Sequence, residues 1–359
     1  MKAALFLLLA LLFLPIPAQA AELSDVVDFG AVAEAAPPEA AEIFDQPDGS
    51  GTDFNAGLEK LWAKAQSTFP EALREALRPL AAIIAVALLC ALAESFSGSA
   101  TGAETAAFAG CLAVSVIGAK DVHSILSLGV ETMGRLSEFS RVLLPTLTTA
   151  AAASGTPGTA GAVWAASALF SDLLLTAADR LILPLICGFT AAGCAAAVLG
   201  EKRIDGAVRL LQWSARTCLK ALVLAFTAYL AVTRALGAAS DAAAVKTAKA
   251  ALSAVPVVGR TLSDASEAIA AGAGVLRAAV GGYGMLAVLS ALLLPLLRLT
   301  LRCVAFRGAA AVCSGIAGER IAGLIGRLGT AYSLLLGLLC TAAAIEFLAI
   351  ISLIRTVTI

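Results

Sequence analysis

The feature that restricts this chain most is a series of apolar runs, each close to the length of a membrane-crossing helix. Crossing a bilayer takes about 20 mostly apolar residues in helical form. Runs of that kind lie near residues 79–97, 104–122, 138–155, 159–178, 181–199, 217–236, 283–303 and 329–354. The second and fourth are the weakest, the fourth because Asp172 falls inside it, and the last is the longest. Composition agrees: the chain is 60% hydrophobic and 14% charged, where soluble domains are about half apolar and about a quarter charged. An isolated helix satisfies its own backbone in lipid. The expected fold is therefore all-α, a polytopic transmembrane helical bundle of seven or eight spans with short amphipathic helices outside the membrane.

The N-terminal part reads differently. Residues 1–20 carry Lys2, then an apolar core, then Pro15, Pro17 and the small-residue sequence Ala18-Gln19-Ala20, the order of a cleavable signal peptide. Residues 21–78 are rich in Asp and Glu, and "EAAPPEA" and "DQPDGSGTD" suit an extracytoplasmic segment, partly disordered and without a core. From Phe54 to Leu77, apolar residues recur at near-helical spacing, which predicts one or two short amphipathic helices leading to the membrane. Residues 79–359 form the membrane domain.

Lys and Arg collect in 200–216 (Lys202, Arg203, Arg209, Arg216) and in 298–327 (Arg298, Arg302, Arg307, Arg320, Arg327). Both stretches read as cytoplasmic loops. Counting eight spans from an external N-terminal segment places them on that same side, and places residues 237–282 and the C-terminal end outside. With net charge −1, nothing points to nucleic acid as a partner.

No catalytic constellation emerges. With one His (His123, expected at the membrane interface), no HExxH zinc motif can exist, and no GxxxxGK[ST] phosphate loop is present. "GAGVLR" at 272–277 has Arg277 where a dinucleotide fingerprint needs its third glycine, and "ESFSGSA" at 94–100 has no basic partner for a nucleophile. The cysteines, among them Cys90, Cys111, Cys187, Cys194, Cys218, Cys303 and Cys340, lie in or beside apolar runs and read as small hydrophobes. The chain is expected to be no enzyme and to use no cofactor or metal. Glu346 is the clearest ionisable residue inside a run. Because Ala331–Ile354 exceeds a span, a shift of a few residues would bring it to water, and that reading is preferred to a buried pairing or ion-handling role. The Asp179–Arg180 pair is expected at a helix boundary. Pro145, Pro184 and Pro295, in "VLLPTL", "LILPLI" and "LLLPLL", are expected to kink their helices.

Between the sixth and seventh runs, residues 237–282 are amphipathic. Val245, Ala248, Leu252 and Val255 share one helical face, Pro256 and Gly259 interrupt it, and Thr261 with Asp264 has capping-box spacing for a new helix. This predicts a helix, a turn and a second helix, held on the outer membrane surface or partly re-entrant. The same stretch carries a likeness. Thr247-Ala248-Lys249, then Val255-Pro256-Val257-Val258-Gly259-Arg260, then Asp264-Ala265 resembles the most recognisable segment of the stage III sporulation protein AE family. "LLPTLTTAAAASG" (143–155) and "LILPLICGFTAA" (181–192) stand ahead of it in the same order, and the likeness runs over residues 80–355.

The resemblance implies a non-enzymatic integral membrane subunit of a secretion-like channel complex, made in the mother cell during endospore formation and needed for late forespore development. Implied partners are other membrane subunits of that complex, a separate cytoplasmic ATPase and, indirectly, a forespore membrane protein. The implied location is the mother-cell membrane around the forespore. Lys249, Pro256, Gly259, Arg260 and Asp264 are the residues expected to dock a partner. The alternative is a self-contained secondary transporter with a mid-membrane substrate site between the proline-bearing helices.

Overall fold

The computed structural model describes residues 29–41, 54–97, 99–154, 156–200, 203–253 and 259–354, and every regular element among them is helical. Two short helices, α1 (Phe29–Glu34) and α2 (Pro38–Ala41), precede the long ones. The long helices are α3 (Phe54–Phe96), α4 (Ala100–Ala153), α5 (Pro157–Ala177), α6 (Leu183–Leu199), α7 (Ile204–Ser253), α8 (Gly259–Ile316) and α9 (Glu319–Ile354). The signal-peptide residues 1–20, and Pro256, lie outside the described residues.

Among the described residues six helices are long and apolar enough to cross a membrane, where seven or eight spans were expected. The difference arises where two runs share one helix. Runs 104–122 and 138–155 both belong to α4, whose 54 residues span about 80 Å at 1.5 Å per residue. Runs 159–178 and 181–199 are joined through a π-helical turn at Ala178–Ile182. That turn lies just ahead of Pro184, whose ring clashes with the carbonyl four residues back in a regular helix and which has no N–H to give it. The wider turn accommodates the proline without ending the helix, so Asp179–Arg180 marks no boundary. Pro145 and Pro295 likewise sit inside continuous helices.

Three other expectations change. In the region 237–282 one helix ends at Ser253 and another begins at Gly259, on either side of Pro256, but neither is a short helix of its own. The first part of the region is the end of α7 and its second part the beginning of α8. Because α8 starts at Gly259, Thr261 and Asp264 lie within the helix rather than ahead of it. At the N-terminal side, Phe54–Leu77 is no short helix but the first half of α3, which passes through Pro70 and Pro79. Residues 29–41, expected to lack a core, bury Val32 and Ala40, with α1 against α4 and α2 against α8.

The most enclosed helix is α9, buried along nearly its whole length and packed on α8, α4, α5, α6 and α7. On one side α3 packs on α4 and α8, and on the other α5 and α6 pack on α7. Lipid tails are as apolar as leucine, so close packing drives helix association here, not the exclusion of water. A Cβ on Gly118 of α4 would stand 2.3 Å from Leu328 Cδ1 of α9. Outward, Leu88, Leu89, Leu92 and Phe96 on α3, and Leu210, Trp213 and Leu224 on α7, are exposed. Apolar surface of that extent is what a bilayer covers.

The C-terminal ends of α3, α6 and α8 gather at one end of the bundle. There Gly200 closes α6 at φ 69°, a left-handed conformation that suits glycine, and its N–H donates to the Ala196 carbonyl at 3.0 Å. Arg320 reaches this end from α9, beside Gly200 and 3.7 Å from Glu104 of α4.

Candidate functional site within the helix bundle

The arginines that read as a cytoplasmic loop at 298–327 are not in a loop. They lie on the hairpin of α8 and α9, whose turn is only Ala317–Gly318. Burying a guanidinium in a membrane bundle costs about 2.5–3.5 kcal/mol on insertion scales unless it is paired, and each surrounding layer supplies a carboxylate. From α3, Glu75 Oε1 accepts from Arg298 Nη2 at 3.4 Å, while Arg298 Nε stands 3.1 Å from Oε2 without being aimed to donate. From α4, Asp121 Oδ2 accepts from Arg302 Nε at 3.3 Å and from the Tyr332 hydroxyl of α9 at 2.5 Å. From α7, Asp205 Oδ1 accepts from Arg327 Nη2 at 2.6 Å, and Arg327 Nη1 donates to the Gly193 carbonyl of α6 at 2.9 Å. Arg302 is only 7% exposed, and its Nη1 has no partner. Tyr332 is held from its other side by Phe306, with ring centroids 4.8 Å apart.

A second cluster is carboxylate without arginine. Glu346 of α9 was expected to reach water. It is instead 5% exposed, because α9 is packed on α4, α5, α6, α7 and α8 and is buried along nearly its whole length. Ser140 of α4 donates to Glu346 Oε2, and Ser171 donates to Oε1 at 3.0 Å. Neither serine stood out in the sequence. The signal that would have found the arginine pairs was available: Arg298 and Arg302 fall inside the apolar run 283–303, where a charge demands a partner.

The expected docking residues are spread over two helices. Lys249 is on α7, and Gly259, Arg260 and Asp264 are on α8. Their side chains and Pro256 lie outside what the structure describes. His123 is an exposed residue in the middle of α4. The cysteines divide: Cys90, Cys111, Cys303 and Cys313 are buried, whereas Cys187 is exposed. Among the described residues no three His, Cys, Asp or Glu side chains gather to hold a metal ion.

Six long apolar helices, two of them forming the ion-paired hairpin of α8 and α9, define a polytopic helical membrane protein. The model of the stage III sporulation protein AE family matches residues 49–357, nearly the whole chain, and the chain belongs to that family. No curated protein and no solved structure matches it.

Proposed function

We propose that the chain is a non-enzymatic membrane subunit of the sporulation-specific, secretion-like channel complex linking mother cell and forespore. The observation that carries this reading is the family match over residues 49–357. The protein would sit in the mother-cell membrane around the forespore. The connection between α7 and α8 would face the intermembrane space, and the C-terminal ends of α6 and α8 the cytoplasm. Six crossings leave them on the sides that eight would give them. Arg203, Arg209 and Arg320 near the second end suit the cytoplasmic side.

Two features support a protein that works in an assembly. Helices α4, α7 and α8, of 54, 50 and 58 residues, are far longer than the ~20 that cross the hydrocarbon core. They leave length outside it for contacts with other subunits. Asp172 is exposed on α5 beside the exposed Leu169 and Leu173, and a helix of a neighbouring subunit would satisfy that carboxylate where lipid does not. A separate cytoplasmic ATPase would act on the complex, and the forespore partner would be reached indirectly through other subunits. Lys249, Pro256, Gly259, Arg260 and Asp264 would form the docking element. Deleting Thr247–Asp264 with membrane insertion preserved should abolish co-purification with the other subunits. Unchanged co-purification would defeat the docking role.

A further inference from the structure

We propose that Glu346, Ser140 and Ser171 form a binding site for one small monovalent cation, a proton or a sodium ion. Three helices converge on it, with Glu346 from α9, Ser140 from α4 and Ser171 from α5. Both carboxylate oxygens are engaged by hydroxyls and by nothing else among the described residues. This distinguishes the cluster from Glu75, Asp121 and Asp205, which each face an arginine, and from the buried Asp241, which accepts from two backbone N–H groups at a helix start. An ionised carboxylate enclosed in lipid-embedded helices lacks its counter-charge, and the site supplies oxygen ligands for a small cation.

Among the described residues, the surroundings supply no alternative counter-charge. On α4, Glu138 and Arg141 are exposed, and so are Asp172 on α5, the Asp179–Arg180 pair in the π-helical turn and Arg234 on α7. On α8, Arg277 donates to Ser154, and neither it nor Tyr283 pairs with Glu346. The two serines suit both occupants. A hydroxyl donates to an empty carboxylate and, on rotating, offers a lone pair to a metal ion. Pro145, without an N–H, also leaves the Arg141 carbonyl, one residue from Ser140, without its usual helical donor. Interrupted helix hydrogen bonding near a membrane-embedded carboxylate is how transport proteins expose backbone oxygens to Na⁺ or H⁺. The site is independent of the channel reading, because any function of the bundle could be coupled to its occupancy.

The test uses the full chain purified in detergent, with Glu346→Gln and Ser171→Ala variants. Thermal unfolding is followed against NaCl, with choline chloride as the ionic-strength control, and against pH. Labelling of Glu346 by a hydrophobic carbodiimide, which reacts with a protonated carboxyl, is mapped in parallel. A sodium site predicts an unfolding temperature that rises with NaCl only, and labelling that NaCl suppresses. A proton site predicts labelling that falls as pH rises and is indifferent to NaCl. In either case Glu346→Gln removes the dependence and Ser171→Ala shifts its midpoint. Should Glu346→Gln fail to fold, Ser171→Ala carries the comparison. A wild type insensitive to both ions, or a Ser171→Ala variant with the wild-type dependence, overturns the proposal.

Discussion

Asp241 of α7 caps the first turn of α5 through Thr159. One carboxylate oxygen accepts from the Thr159 N–H at 2.9 Å and from its hydroxyl at 2.6 Å, and the other accepts from the Gly158 N–H at 2.7 Å. The first N–H groups of a helix have no partner within it, and capping residues normally come from the preceding few positions. Thr156, in the N-cap place, makes no side-chain cap bond. A residue 83 positions along the chain supplies it instead.

Asp241→Ala should therefore lower stability by about 2 kcal/mol, the upper end for loss of a cap, because two backbone donors lose their acceptor together. Gly237, one helical turn away on α7, makes the contact geometrically available: a Cβ there would lie 2.6 Å from the Thr159 Cα. Gly237→Ala should push the helices apart and weaken the same cap. The double variant should then cost less than the sum of the two, the signature of coupled sites. Chemical unfolding in detergent reads all three, and additive losses would refute the coupling.

Around Asp121 the expected order of effects is set by what each truncation leaves behind. Arg302→Ala strands a buried carboxylate and should cost about 3–5 kcal/mol, whereas Tyr332→Phe removes one hydrogen bond to a charged group and should cost about 1.5–3 kcal/mol. Replacing all three together, as Asp121→Leu/Arg302→Met/Tyr332→Phe, should recover most of the loss because no unpaired charge remains. Unfolding temperatures of the four proteins decide this. A triple variant less stable than Arg302→Ala would show that the network holds the helices in place by more than charge pairing.

Topology follows from parity. Alkaline phosphatase fused after residue 250 should be active outside the cytoplasm, and the same fusion after residue 208 should be inactive. Activity on a common side would overturn both the orientation and the docking role of residues 247–264.

The class of protein was legible from one-dimensional information. Long apolar runs such as 329–354 must be helical in lipid, and so must α9, whatever surrounds it. Motif order sufficed for the family, since segments such as 143–155 and 255–260 keep their spacing in any packing. The number of crossings was not legible, because Asp179–Arg180 reads as a break between two apolar runs and only the π-helical turn at Ala178–Ile182 shows the helix continuing.

The interior sites were least visible. Each joins residues far apart in sequence: Asp121 with Arg302 and Tyr332, Asp205 with Arg327, Asp241 with Thr159, and Glu346 with Ser140 and Ser171. Composition dictates that a charge inside an apolar run needs a partner, but not which one. Glu346 shows the difference. Sequence alone places it near the end of a long run, where sliding toward water is the cheaper outcome. Because α4, α5 and α8 enclose α9 on all sides of that position, the carboxylate meets two hydroxyls instead of solvent. Pairing of charges depends on which helix faces which, and that is a property of packing that no local pattern encodes.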